Sequence, residues 1–296
     1  MRNVKALIVF LSCILANSAS AETIASRVVE DGGTGPYSAI MATDASLPTH
    51  TLFRPDNIAV LRDEKLPIVV WGNGACFDSP WEHVNFLNEI ASHGFMVVAI
   101  GTMPTEDGEQ KTERSTASKL TDAIDWAIAQ NEDESSPYHQ ALDTAQIGVA
   151  GMSCGGLQAL EVADDPRVTT LGVFNSGIFN EPPEDPLPGI PNLTKKQLDN
   201  IHTPTLYLLG GESDIAYGNG MNDVERIDHV PVFVGNMDVG HGGTYGQPHG
   251  GEFARVATAW FKWLLKGDEE AGQLFTGNPP GLAEHPEWTV DKKNMP

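Results

Sequence analysis

The sequence is short of basic residues, of cysteine and of long apolar runs. It carries 18 Lys and Arg against 40 Asp and Glu, a formal net charge of −22 over 296 residues. A polyanion repels phosphate backbones and anionic lipid, so neither nucleic acid nor a membrane surface is expected as a partner. No apolar stretch reaches the roughly 18 residues that a membrane-spanning helix needs. No period of about 20 to 50 residues repeats, which argues against a solenoid or propeller. Neither an HExxH string nor a cysteine-rich ligand set occurs, so no metal site is expected. What is present is a chain with 41% hydrophobic residues and 30 glycines, enough for one large domain with a buried core.

The opening segment reads as an address. Arg2 and Lys5 precede an apolar stretch over 6–16, and small residues end in Ala19-Ser20-Ala21. These are the charged, apolar and A-x-A parts of a secretory signal peptide, and the alternative is a first buried helix. Cys13 is followed by Ile14, not by the small residues that a lipoprotein cleavage site requires. The expectation is a signal peptide over 1–21, cleavage after Ala21, and a soluble secreted or periplasmic domain over 22–296. Only Cys76 and Cys154 then remain, and in an oxidising compartment two cysteines are more often paired than free.

Apolar runs without polar alternation lie at 67–71, 95–100, 146–150, 170–174, 205–209 and 231–234. Such runs read as strands buried on both faces. Segments 81–92, 117–129, 154–163 and 252–265 have helical spacing, the last with Phe253, Val256, Ala257, Trp260, Phe261 and Leu264 on one stripe. Strands alternating with helices predict an α/β fold, with a mostly parallel central sheet and helices on both faces. The Pro-rich, acidic stretch 181–192 reads as a surface excursion between core strands. Residues 267–296, rich in Gly, Pro and charge, are expected to lie on the surface or fray.

Gly151-Met152-Ser153-Cys154-Gly155 fits G-x-S-x-G. The string alone is weak, but here a strand precedes it and a helix follows. That strand–turn–helix is a nucleophile elbow, in which glycines two positions either side of the serine permit the sharp turn. The plainer alternative is a Gly-rich turn with an idle serine. A serine hydroxyl needs a base, and in this fold the partners follow in the order serine, acid, histidine. Asp214, just past the strand at 205–209, is the favoured acid, with Glu212 as its competitor. His241, in Gly240-His241-Gly242-Gly243, is the favoured base, with His249 as its rival. The helix after Ser153 begins with free N–H groups, and a second donor should come from the loop after the strand at 67–71. The backbone N–H groups of Asn73 and Cys154 are therefore the expected oxyanion hole. Cys76 and Cys154 would both border that pocket, and a disulfide between them would clamp its two halves.

Ile90-Ala91-Ser92-His93-Gly94-Phe95-Met96-Val97, the elbow, Asp214-Ile215-Ala216 and His241 together resemble the dienelactone-hydrolase-like branch of the α/β-hydrolases. That branch includes chlorophyllase-like and cutinase-like polyester-hydrolase enzymes. The resemblance covers about 35–266, and Gly35-Pro36-Tyr37 is similar to the start of the family's first strand. Dienelactone hydrolases proper use a cysteine nucleophile, and this chain has Ser153. The polyester hydrolases carry Pro-Gly-aromatic where this chain has Trp71-Gly72-Asn73. The resemblance implies a serine carboxylic-ester hydrolase that works through an acyl-enzyme, needs no cofactor and takes a small-molecule or polymeric ester. A histidine base implies activity that falls below about pH 6. Trp71, Phe77, Trp81, Phe179, Tyr217 and Tyr245 are candidates for an acyl or aryl subsite, ordinary packing being the alternative. The other functional readings are a peptidase or acyltransferase on this scaffold, or a binding protein that kept its frame.

Overall fold

The computed structural model describes residues 25–295, save 30–32, 62–63, 106–112, 183–184 and 186–187. The expected signal peptide lies outside the described residues. Among the described residues, ten strands form one sheet: β1 (Ser26–Val28), β2 (Ala39–Ala42), β3 (His50–Pro55), β4 (Leu66–Gly72), β5 (Met96–Ile100), β6 (Leu142–Met152), β7 (Thr170–Phe174), β8 (Thr205–Leu209), β9 (Val232–Met237) and β10 (Trp288–Lys293). Their order is β1-β2-β3-β5-β4-β6-β7-β8-β9-β10.

The centre of this sheet, from β5 through β4, β6, β7 and β8 to β9, is parallel. The outer pairings β1–β2, β2–β3, β3–β5 and β9–β10 are antiparallel. The sheet is therefore mixed, and the mostly parallel reading describes only its middle. The reason lies in the connections. Most of the central strands are joined by helical crossovers, whereas β2 and β3 are joined by a short connection over 43–49 that reverses the chain, and β10 returns after the long segment 238–287 to run against β9.

Every residue of β4, β5, β7 and β8 is buried. Alternate side chains feed two cores. Ile68 and Val70 join Tyr207 and Leu209 on one face, with α2 (Ser118–Glu132), α3 (Cys154–Glu161) and α4 (Tyr217–Arg226) packed over them. Val69 and Trp71 join Leu206 and Leu208 on the other, beneath α1 (Val84–Ser92) and α5 (Gly251–Lys266). Burial on both faces is why these strands carry no polar alternation.

Two segments differ from expectation. Gly35-Pro36-Tyr37 forms a bend, and the strand starts at Ala39. The tail does not fray. It contains α6 (Glu269–Gly272) and β10, which adds to the free side of β9 in register from Trp288 against Met237 to Lys293 against Val232. Phe275 and Leu282 are fully buried, and Phe275 meets Trp260 edge-on with ring centroids 5.0 Å apart. A few large apolar side chains and one hydrogen-bonded edge outweigh the polar composition of the segment.

Candidate active site

The carboxyl ends of β4, β6, β7, β8 and the loop after β9 meet at one edge of the sheet. At the end of β6, Ser153 adopts φ 53° and ψ −117°, a strained backbone that holds its side chain clear of the sheet. The turn fits only because its flanks lack Cβ atoms. A methyl on Gly151 would fall 2.3 Å from the carbonyl carbon of Gly155. The Ser153 N–H donates to Phe174 O at 2.9 Å, and the Ser176 hydroxyl donates to Ser153 O at 2.6 Å.

The structure brings Ser153, His241 and Asp214 together in one row. His241 Nε2 lies 2.9 Å from Ser153 Oγ, and His241 Nδ1 lies 2.6 Å from Asp214 Oδ1. With its hydrogen on Nδ1, the imidazole donates to the carboxylate and accepts from the serine hydroxyl. The Asp214 side chain is fully buried, while His241 keeps a partly exposed face. Burial alone would raise the Asp214 pKa. Hydrogen bonds from His241, the Ala216 and Gly210 N–H groups and the Asn175 amide outweigh it and hold the carboxyl below its ordinary range.

The competing residues stand elsewhere. Glu212 is exposed beside the loop. His249 sits in the turn Pro248–Gly250, with Nδ1 3.9 Å from Glu89 Oε2. Among the described residues, no group of three or more His, Cys, Asp or Glu could hold a metal.

The backbone of Asn73 lies against the start of α3. An added Cβ on Gly155 would lie 2.7 Å from Asn73 N, so the loop after β4 presses on the first turn of α3. Cys154 opens that helix, where first-turn N–H groups have no carbonyl partner within the helix. Cys76 and Cys154 are joined by a disulfide, with Cα atoms 5.0 Å apart. The bond braces an unusual loop: Ala75 and Cys76 both have left-handed φ, 53° and 55°. The Asn73 side chain adds a second brace, donating to Ile100 O at 2.7 Å and Phe77 O at 2.9 Å. Sequence reasoning used only the Asn73 backbone.

A cleft of about 150 Å³ opens beside Ser153 and His241, with Leu157, Phe179, Ile190 and Ile215 among its apolar lining. Ile215 is 80% exposed at its mouth. Of the six aromatic candidates, Phe179 lines this cleft. Trp71 and Tyr245 are instead buried in the core beneath the site, with ring centroids 6.3 Å apart.

Sequence reasoning also missed Asn175 and Ser176. Their only signal is position, as small polar residues directly after a buried strand at the carboxyl edge of the sheet.

The strand order, the crossover helices and the turn at Ser153 define the class as an α/β-hydrolase. A sequence profile for the PET hydrolase-like family matches residues 68–287, most of the chain, and the chain belongs to that family. Membership makes it a hydrolase that acts on esters. No curated protein matches the chain.

Proposed function

We propose that the chain is a secreted serine carboxylic-ester hydrolase. One observation carries the reading: the hydrogen-bonded row from Ser153 through His241 to the buried Asp214. His241 Nε2 takes the proton of Ser153 as its Oγ attacks the ester carbonyl. Asp214 holds the imidazole in the required tautomer and stabilises the imidazolium. The N–H groups of Asn73 and Cys154 receive the oxyanion, a contribution worth about 3 kcal/mol for each donor in comparable sites. The imidazolium returns the proton to the leaving alcohol, and an acyl group remains on Ser153. Water, deprotonated by His241, then releases the acid and restores the serine. No cofactor enters any step.

Secretion is part of the same proposal. It rests on the three-part segment 1–21 and agrees with an oxidised Cys76–Cys154 pair. Intact-mass measurement of the exported protein should give a chain beginning at Glu22.

The catalytic test is turnover of p-nitrophenyl esters from acetate to octanoate, with Ser153→Ala as control. Hydrolysis by the wild type and its loss in the variant are expected. Undiminished hydrolysis by the variant would exclude Ser153 as nucleophile.

A further inference from the structure

A buried carboxylate can serve a histidine only if its plane is fixed, and the end of β7 supplies the means. Asn175 is fully buried and adopts left-handed φ of 42°, a conformation that asparagine tolerates better than most residues. Its N–H donates to Leu208 O at 2.7 Å, which ties it to β8. Its amide uses both hydrogens. Nδ2 donates to Asp214 Oδ2 at 2.8 Å and to Gly240 O at 3.2 Å. One side chain thus joins the acid to the residue before His241.

The Asp214 carboxylate and Gly240 O can only accept, which fixes the side of the amide that carries Nδ2, and Tyr245 holds the other side. The Tyr245 hydroxyl donates to Asn175 Oδ1 at 2.6 Å. A flipped amide would turn its carbonyl oxygen toward two acceptors, Asp214 Oδ2 and Gly240 O, and would take from the carboxylate one of its four donors. The tyrosine itself is held by packing, with ring centroids 5.0 Å from His83, 5.2 Å from Phe86 and 5.5 Å from Phe253. The carboxylate then has two donors on each oxygen: Gly210 N–H and Asn175 on Oδ2, Ala216 N–H and His241 on Oδ1.

We infer that Asn175, locked by Tyr245, is a positioning residue that sets the rotation of Asp214 and through it the aim of the His241 imidazole. The inference rests on the serine-hydrolase reading above. Tyr245 acts only through Asn175, so the two should not contribute independently.

The experiment compares Asn175→Gly, Tyr245→Phe, the double variant and Ser153→Ala on p-nitrophenyl butyrate, with thermal melting of each. Glycine accepts the left-handed backbone, and phenylalanine keeps the packed ring. Asn175→Gly should lower kcat by about tenfold or more, as loss of outer-shell partners commonly does, while KM stays within about twofold. Tyr245→Phe should lower kcat by roughly threefold, and the double variant should match Asn175→Gly alone. A loosened fold would not give that non-additive pattern. Losses that multiply in the double variant, or a kcat for Asn175→Gly within about twofold of wild type, would overturn the inference. If Asn175→Gly fails to fold, an unchanged kcat in Tyr245→Phe overturns it. Retained turnover in Ser153→Ala would instead remove the nucleophile assignment, whatever Asn175 does.

Discussion

Gly155 rests directly on Gly72. A methyl group added to Gly155 would lie 2.1 Å from both the carbonyl carbon and the carbonyl oxygen of Gly72. This contact sets the spacing between the loop after β4 and the first turn of α3. Gly155→Ala must push them apart, and displacements near 1 Å at reacting groups cost about 100-fold in rate. The expected result is a folded protein with kcat reduced by about that factor, read by ester turnover beside circular dichroism. Wild-type kcat would mean that this spacing does not matter to the chemistry.

The disulfide should matter to both stability and rate. It closes a loop with a sequence separation of 78, for which chain-entropy reasoning gives a stabilisation of about 4 kcal/mol. Cys76→Ser removes the bond but keeps Cys154 and its N–H in place. Urea unfolding should show a loss of that order. Residual activity well below the folded fraction is also expected, because Ala75 and Cys76 lose the bond that braces their left-handed backbone. Equal activity per folded molecule would count against a role in shaping the pocket.

The size of the cleft predicts acyl preference. About 150 Å³, bounded by Leu157, Phe179, Ile190 and Ile215, suits a short acyl group better than a long one. Rates on p-nitrophenyl esters should fall from butyrate to octanoate. Phe179→Ala should flatten that fall by widening the cleft. A variant that keeps the wild-type ratio of butyrate to octanoate rates would place the acyl chain elsewhere.

Acid should weaken the fold through two buried imidazoles. Burial pushes His50 down to about 4, although its bond to Lys119 O opposes this, and pushes His83 down to about 3. In the unfolded chain both titrate near 6.5. The unfolded state therefore binds protons that the folded state refuses as pH falls from about 6.5 toward 4. Their stability contribution is complete above that window and is lost within it, on the order of 3 kcal/mol for His83. Asp223 works the other way: burial raises it to about 6 despite Lys195, so its proton favours the fold below that pH. Thermal melting from about pH 7.5 to 4 should show a net decline, shallower in His83→Phe, where a ring of similar shape keeps the packing against Trp71 and Tyr245. Parallel curves would show that His83 does not drive it.

The central strands were legible because β4, β5, β7 and β8 are buried on both faces and read as unbroken apolar runs. The segments that escaped are mixed in composition. β3 carries His50, Arg54 and Pro55 within His50–Pro55. α4 contains Gly218 and Gly220 and has poor intrinsic helix propensity. Its buried Asp223 instead receives Ile178 N–H at 2.8 Å and Lys195 Nζ at 2.6 Å, contacts that no local pattern reveals. β10 is hidden among the prolines and charges of the tail. At the site, Ser153 announces itself through its glycines. Both His241 and His249 lie in Gly-rich loops, and the local sequence separates them only by the closeness of His249 to α5; the meeting of loops places one beside Ser153 and the other beside Glu89. Asn175 belongs to no motif. Its role comes from which carboxylate and which hydroxyl stand next to it.

The last strand has a consequence for anyone shortening this chain. β10 occupies the hydrogen-bonding flank of β9 over six residues. Ending the polypeptide after Lys266 would leave the backbone groups of β9 that face β10 without strand partners, while those facing β8 stay paired, and would strip the cover from Phe233. Such an open border recruits a second chain, so the truncated protein should self-associate before it loses its chemistry.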